Sequence, residues 1–265
     1  MTLEPVVSGA VEPLLEARGI GLHFGEFRVL DDVSFVLPPR GLTGIVGTNG
    51  AGKSTLFAVV SGQLAAGSGQ VRFDGVDITG LPPLQRARRG LGRTFQVPRE
   101  FAHLTVRENI MVAARRDYGE TLRSVFVGWG RVGREERAIG ERADHWIEFL
   151  NLQRVAGNAA GDLSGGQKKL LELGRMLMLE PKCILLDEPF AGVNPVLIDE
   201  ISTRIAELNA AHGIAFVIIE HHLEALKALA RRLYVMDQGR VIAEGDPTEV
   251  LEDPRVHEAY MGGVA

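Results

Sequence analysis

The chain has 265 residues, of which 45% are hydrophobic and 24% charged, with a formal net charge of −5. This balance is typical of a folded globular protein and excludes a disordered, collagen-like or disulfide-stapled chain. The acidic charge disfavours non-specific nucleic-acid binding, and no apolar run approaches the roughly 20 residues of a membrane-spanning helix. A single cysteine, Cys183, favours a reducing compartment.

Residues 1–13 are predicted to form a loose tail, because they contain proline and glycine and show no periodicity. Runs of β-favouring residues then predict short strands at Leu14–Ala17, Gly21–Phe24, Val29–Val36, Leu42–Val46 and Val71–Phe73. Helices are expected from near Lys53 to before Gly62 and over Pro82–Arg89.

From about residue 97 to 162 the pattern becomes helical, with predicted helices at Thr105–Arg116 and Glu135–Leu150. In the second helix, Ala138, Trp146, Phe149 and Leu150 are predicted to share one face. We interpret this stretch as a helical subdomain inserted into one domain that spans residues 14–265.

Strands and helices alternate again after residue 162. Helices are predicted to start near Ser164 and after Pro195, and buried strands cover Cys183–Leu186 and Ala215–Ile219. A strand pair, Arg232–Asp237 and Arg240–Glu244, surrounds a turn, and short helices follow. Alternating β and α elements predict an α/β fold with a mostly parallel sheet.

A phosphate-binding motif, G-x-x-x-x-G-K-[ST], lies between a predicted strand and a predicted helix. Its residues are Gly47, Thr48, Asn49, Gly50, Ala51, Gly52, Lys53 and Ser54. The glycines allow backbone N–H groups to converge on phosphate oxygens, and the helix N-terminus adds a positive dipole end. Lys53 is expected to bind the β- and γ-phosphates, and the Ser54 hydroxyl is expected to coordinate Mg²⁺. The alternative is a glycine-rich turn that binds nothing.

Two acids, Asp187 and Glu188, end the buried strand Cys183–Leu186. Because side chains alternate along a strand, the two carboxylates are expected to face different partners. We assign Asp187 to the metal and Glu188 to the attacking water as general base. An exposed acidic loop is the competing interpretation.

A serine followed by two glycines precedes another helical run, in Leu163-Ser164-Gly165-Gly166-Gln167. Ser164 is a good N-cap, and the glycines expose backbone N–H groups that favour an anion. Taken alone, the segment is also explained as a simple capped helix.

In this order, the three motifs resemble the ATP-binding subunit of ABC transporters. Gly47–Thr55 is similar to Walker A, Leu163–Gln167 to the LSGGQ signature and Cys183–Pro189 to Walker B. The resemblance implies ATP and Mg²⁺ as ligands, a RecA-like P-loop core, an antiparallel β-subdomain and a helical subdomain. It also places Thr55 in the nucleotide site.

Further residues take roles by the same resemblance. Gln96 matches the Q-loop glutamine, which touches Mg²⁺ or water, and His221 matches the switch histidine on the γ-phosphate. Phe24 matches the aromatic that stacks on adenine, although a core aromatic is the alternative. Ala191–Asn194 occupies the D-loop position.

Three positions depart from the common family pattern. Thr48 replaces a proline, Asn194 replaces an aspartate of the D-loop, and His222 replaces an aspartate after the switch histidine. Separately, a basic cluster is predicted to be a solvated or subunit-facing surface rather than a nucleic-acid patch. It comprises Arg86, Arg88, Arg89 and Arg93.

Within the superfamily, the chain is most similar to the larger ATPase subunit of branched-chain amino acid importers. The residues that carry this similarity are Gly90–Gln96, Asp187–Pro195, Ile219–His221 and Ala259–Gly262. Urea importers, lipopolysaccharide exporters, a soluble non-transport ABC ATPase and a nucleotide-binding scaffold without turnover are the alternatives.

The resemblance implies a set of partners. These are a second ATPase subunit, two transmembrane permeases and, indirectly, a solute-binding protein, with no nucleic acid. The second ATPase subunit is expected to be a different chain, with a homodimer of the isolated chain as the alternative. It implies that the chain lies peripherally at the cytoplasmic face of the inner membrane. Two ATPase subunits would enclose two ATP molecules, with Ser164 of one completing the site of the other.

Overall fold

The computed structural model describes residues 12–94, 100–115 and 129–262, and side chains within these ranges except for residues 129–132 and 260–262. Within these ranges, no helix is both long and apolar enough to cross a membrane. The loose tail expected at residues 1–13 lies almost entirely outside them, and so does Gln96.

A six-stranded sheet forms the centre of the described chain, in the order β10-β9-β3-β8-β7-β6. Its strands are β3 (Leu42–Gly47), β6 (Leu91–Arg93), β7 (Cys183–Asp187), β8 (Ala215–Ile219), β9 (Arg232–Asp237) and β10 (Arg240–Gly245). All neighbouring pairs are parallel except β9 with β10. Every residue of β3, β7 and β8 is buried, as expected for strands covered on both faces.

A four-stranded antiparallel sheet packs on one side, in the order β2-β1-β4-β5. Its strands are β1 (Leu15–Phe24), β2 (Phe27–Leu37), β4 (Ser68–Phe73) and β5 (Val76–Asp77). The prediction of two separate strands, Leu14–Ala17 and Gly21–Phe24, is wrong, because they form one strand with irregular register around Gly19. Gly19 has a φ of +60°, which interrupts the pairing without ending the strand.

Nine α-helices connect and cover the strands in the described ranges. They are α1 (Lys53–Val60), α2 (Pro83–Arg88), α3 (Val106–Val112), α4 (Trp129–Phe149), α5 (Gly165–Leu177), α6 (Pro195–His212), α7 (Leu223–Leu229), α8 (Pro247–Leu251) and α9 (Pro254–Gly262). Two short 3₁₀ turns lie at Gln153–Val155 and Ala160–Asp162. The predicted α/β class is confirmed, whereas the division into a core and an inserted helical subdomain stays a prediction.

Helix α3 shows how local sequence sets an end. Thr105 is its N-cap, and the Thr105 and Glu108 side chains form a reciprocal capping box. The helix ends at Val112, earlier than the predicted end at Arg116, a residue outside the described ranges.

The predicted buried face of helix α4 is wrong at Ala138, which is exposed. The residues that pack inward are Ile139, Ala143 and Ile147 of the helix and Leu150 directly after it, spaced four, four and three apart. Trp146 and Phe149 flank this stripe and are half-buried. Both stripes satisfy helical periodicity, so only the packing partner decides between them.

Two hydrophobic clusters lie on the two faces of the central sheet. Along β7, Ile184 and Leu186 belong to one cluster, which contains the helices α3 to α6, while Cys183 and Leu185 belong to the other. The second cluster contains the antiparallel sheet and α1. The sheet is therefore held between two apolar layers, and Asp187 lies at the carboxyl end of a strand that is otherwise apolar.

Candidate nucleotide site

The phosphate loop joins the end of β3 to the start of α1, as the sequence predicts. Gly47 has a φ of +152°, and a Cβ there would lie 2.0 Å from the carbonyl oxygen of Met236. Gly52 caps α1 with a φ of +94°, and its Cβ would lie 2.8 Å from the carbonyl oxygen of Val29. Both positions therefore require glycine, which brings the loop backbone close to β9 and β2.

Lys53 is 6% exposed and points back over the loop. Its Nζ donates hydrogen bonds to the carbonyl oxygens of Gly47 (2.7 Å) and Thr48 (2.9 Å). Burial lowers the pKa of this amine, and the nearby carboxylates of Glu188 and Asp187 act in the opposite direction. Lys53 thus places a cation beside a loop of backbone N–H groups, which suits a phosphate.

Asp187 lies across from α1 at the carboxyl end of β7, and its side chain is 3% exposed. Ser54 Oγ donates to Asp187 Oδ1 at 3.4 Å. The other carboxylate oxygen, Oδ2, accepts from Arg93 Nη2 at 3.0 Å. A hydroxyl and a carboxylate oxygen side by side are ligands that Mg²⁺ prefers, together with phosphate oxygens and water. The residues present therefore fit this ion.

Glu188 turns away from the strand with a φ of +50°. Its Oε1 lies 3.2 Å from Nε2 of His221, which follows the neighbouring strand β8. Asp187 and Glu188 face different partners, as predicted from side-chain alternation. A carboxylate beside a half-exposed imidazole is a pair that can take and hold a proton from water.

Helix α5 begins at the predicted serine. Ser164 Oγ accepts from the backbone N–H of Gln167, and the Gln167 side chain accepts from that of Ser164, which completes a capping box. A Cβ on Gly166 would lie 1.5 Å from Cδ2 of Leu197 in α6, whereas one on Gly165 would meet nothing within 4 Å. Close packing therefore explains Gly166, but nothing within the described chain explains Gly165.

Within one chain, this helix start and the phosphate loop line different clefts. One cleft contains Ser164 and Gln167 together with Asn194 of the loop before α6. The other contains Thr48 and Asn49 of the phosphate loop together with His221. The chain alone thus brings the loop, the two acids and the histidine together, but not the serine-glycine segment.

Phe24 ends β1 with 54% of its surface exposed, so the alternative that it belongs to the core is wrong. The β1–β2 hairpin that carries it adjoins the phosphate loop through the approach of Gly52 to Val29. Thr55 continues the first turn of α1 and is half-buried. Gln96 lies outside the described residues, and its role stays a prediction.

The three departures from the common pattern each make a local contact. Thr48 Oγ1 donates to Asp237 Oδ1 at 3.0 Å, which links the loop to the end of β9. Asn194 Oδ1 accepts from Leu197 N as the N-cap of α6. His222 Nδ1 accepts from Ala225 N as the N-cap of α7. The last two keep the acceptor that a helix start needs.

The prediction that the basic cluster forms a solvated or subunit-facing surface is wrong for two of its members. Arg86 is buried and donates to the carbonyl oxygens of Val59 and Val60 at the end of α1. Arg93 reaches the carboxylate of Asp187. Arg88 and Arg89 are exposed, as predicted.

Sequence reasoning also missed a buried acid, Glu220, which directly follows β8. It is the first polar residue after five buried apolar ones, and that break in pattern was the available signal.

Two family models match this chain. Residues 30–191 match the family model of the ABC transporter, and residues 240–265 match that of the branched-chain amino acid ATP-binding cassette transporter. The chain belongs to the ABC transporter ATP-binding subunits. The predicted family and the predicted P-loop ATPase fold are therefore confirmed.

Several curated relatives of this ABC ATPase span almost its whole length. A probable branched-chain amino acid transport ATP-binding protein LivG of Methanocaldococcus jannaschii is 42% identical, covering 94% of this chain and 97% of the relative. The high-affinity branched-chain amino acid transport ATP-binding protein BraF of Pseudomonas aeruginosa is 35% identical, covering 94% and 98%.

Solved structures agree with the fold. A nucleotide-free ATP-binding cassette from an ABC transporter superposes with a TM-score of 0.82 at 41% identity, covering 94% of this chain and 99% of that one. The ADP conformation of such a cassette superposes equally well at 42% identity, covering 95% and 99%. The ABC ATPase described here therefore has the fold of a nucleotide-binding cassette.

Proposed function

We propose that this chain hydrolyses ATP to power the import of branched-chain amino acids, or of a related small polar solute, through an ABC transporter. The match of residues 240–265 to the branched-chain class carries this proposal. Relatives at 34–42% identity with branched-chain amino acid transport in their names support it. The urea and lipopolysaccharide alternatives are not better supported, and they become outcomes of the test below.

The geometry supports the proposed catalytic assignments. Glu188 acts as general base toward a water held between its carboxylate and the γ-phosphate, and His221, 3.2 Å away, orients it. Lys53 leaves its two loop carbonyls to bind the β- and γ-phosphates. The positive charge of Lys53 then stabilises the charge that develops in the transition state.

Ser54 and Asp187 are the residues that would hold Mg²⁺, with Gln96 as the third proposed ligand. An ion bound there would neutralise negative charge on the phosphates during transfer of the γ-phosphoryl group to water. Among the described residues, no group of three or more His, Cys, Asp or Glu side chains could hold a metal without other ligands. The site is therefore expected to bind Mg²⁺ together with the nucleotide and not before it.

The signature segment, Leu163–Gln167, contributes to the nucleotide site of a second subunit. Gly165 has open space where a Cβ would project, and the N-terminus of α5 presents backbone N–H groups to that space. A phosphate brought there by another ATPase chain would complete the site. We propose a heterologous second ATPase as this partner, with Phe24 stacking on adenine and two permeases anchoring both ATPases at the cytoplasmic membrane face.

Uptake of labelled leucine in the native host tests the solute assignment. Deleting the gene is expected to reduce uptake, the wild-type chain to restore it, and E188Q not to restore it, while proline uptake serves as the control. Co-purification from detergent-solubilised membranes identifies the partners. Recovery of lipopolysaccharide-export subunits, of a urea importer or of soluble proteins alone would contradict the assignment.

A further inference from the structure

A buried carboxylate lies directly beneath the two loops that carry the reacting groups. Glu220 is 3% exposed. Its Oε1 accepts a hydrogen bond from the backbone N–H of Phe190 at 2.6 Å, and its Oε2 accepts from those of His221 at 2.8 Å and His222 at 3.2 Å. One side chain thus contacts the loop after β7 and the loop after β8.

The position of this bridge follows from where the sheet ends. The last backbone contact between the two strands is the hydrogen bond from Glu188 N to Ile219 O at 2.9 Å. Beyond it, no backbone hydrogen bond links the two loops, whose residues are all described. A carboxylate has two oxygens that accept several hydrogen bonds, so it can replace the ladder for both loops at once.

We infer that Glu220 is a positioning residue for ATP hydrolysis, because it sets the distance between Glu188 and His221. The inference rests on the proposed function of these two residues. Glu220 does not touch the reacting atoms; it fixes the backbone of His221 from behind, while the imidazole reaches Glu188 at 3.2 Å in front. Its burial is sustained by charge-assisted hydrogen bonds from three amides.

The E220Q substitution tests this with little change in volume. A glutamine has one acceptor oxygen, and its NH₂ group would meet an N–H donor of the other loop. We expect kcat of the full-length chain, assayed together with its partner ATPase, to fall by at least about tenfold, which corresponds to about 1.4 kcal/mol. The KM for ATP should change by less than about twofold, because the phosphate loop makes no hydrogen bond to Glu220.

Two controls separate positioning from general damage. E224Q removes an exposed glutamate in α7 and should leave kcat unchanged. In the H221A background, E220Q should lower kcat little further, because the imidazole through which Glu220 acts is already absent. An equal tenfold loss in both backgrounds would overturn the inference.

A readout without turnover keeps the inference separate from the proposed function. The chain has seven histidines and eleven phenylalanines, so selective ¹⁵N labelling gives few amide signals. In the nucleotide-free E220Q chain, the amide proton signals of Phe190 and His221 should move upfield as their hydrogen bonds weaken. Unchanged signals would contradict the inference that Glu220 bridges the two loops.

If E220Q does not fold, E220D provides the same test, since its shorter side chain keeps the charge but cannot reach both loops. Shifted amide signals with normal kcat would overturn the positioning role. Absence of ATPase activity from the wild-type chain assembled with its partner ATPase would contradict the proposed function instead, and the amide test of the bridge would still be readable.

Discussion

At the scale of single residues, the nucleotide site depends on charges held close together at the ends of adjacent parallel strands. Lys53 lies near both acids, and its pKa is lowered by burial. Asp187 forms an ion pair with Arg93. If Mg²⁺ binds Asp187 as proposed, the ion would compete with Arg93 for this carboxylate.

The E188Q substitution should separate binding from turnover. Glutamine keeps the size of the side chain but cannot take a proton from water, so we expect ATP hydrolysis to fall by at least about 100-fold. ATP affinity should stay within about twofold, because no predicted nucleotide contact is lost. Equilibrium binding of a fluorescent ATP analogue and phosphate release measure the two quantities.

A matched control for E188Q is E180Q, which changes an exposed glutamate before β7. E180Q should hydrolyse ATP at the wild-type rate. Normal hydrolysis by E188Q would contradict the general-base assignment while leaving the phosphate-loop assignment untouched.

At the scale of elements, two helices are held by contacts that the sequence pattern does not reveal. The start of α5 packs against α6 through Gly166 and Leu197. The end of α1 is capped by Arg86, which also donates to the carbonyl oxygens of Leu81 (2.8 Å) and Thr79 (2.7 Å). Both contacts orient helices whose N-termini we propose to bind phosphate groups.

The G166A substitution should destabilise the fold, because the new methyl group overlaps with Leu197. We expect the free energy of unfolding to fall by about 1–3 kcal/mol in urea titrations. In the L197A background the extra loss should disappear, since the overlapping atoms are gone.

The G165A substitution is the companion variant, because its methyl group enters open space. We expect a wild-type free energy of unfolding but reduced ATP hydrolysis, since the methyl group would stand between the helix start and the partner's phosphate. Full activity of G165A would argue against the proposed role of this helix start across the dimer.

The R86A substitution should destabilise the chain through the carbonyl groups that it leaves unpaired. Arg86 donates to four of them, so we expect a loss of about 2–3 kcal/mol in the free energy of unfolding. R88A, at an exposed position of the same helix, should change stability by less than about 0.5 kcal/mol. Equal effects of the two variants would contradict the capping role of Arg86.

At the scale of the whole molecule, the central sheet is enclosed by two apolar layers, and Cys183 lies within one of them. Burial raises the pKa of its thiol above the ordinary value. The thiol is therefore neutral and inaccessible in the native state at neutral pH.

Because Cys183 is the single cysteine, its labelling reports global unfolding. We expect a thiol reagent to modify the native chain only slowly at neutral pH and the urea-unfolded chain at once. Adding ATP and Mg²⁺ should slow the native reaction further, because ligand binding stabilises the folded state. Rapid, complete modification of the native chain would contradict the described burial.

The sequence alone determined those features that depend on neighbouring residues. Gly47–Ser54, the N-cap at Ser164 and the two acids at the end of β7 are contiguous motifs, and each forms the local structure that its residue types favour. The buried strands were predictable because a parallel strand covered on both faces must be apolar throughout.

Tertiary structure decided the features that depend on what packs against what. The buried stripe of α4 excludes Ala138, Arg86 is buried instead of solvated, and Glu220 bridges two loops thirty residues apart. In each case helical or strand periodicity allowed more than one face or partner. The physical reason is that periodicity fixes directions around an element, whereas long-range packing fixes which direction is the interior.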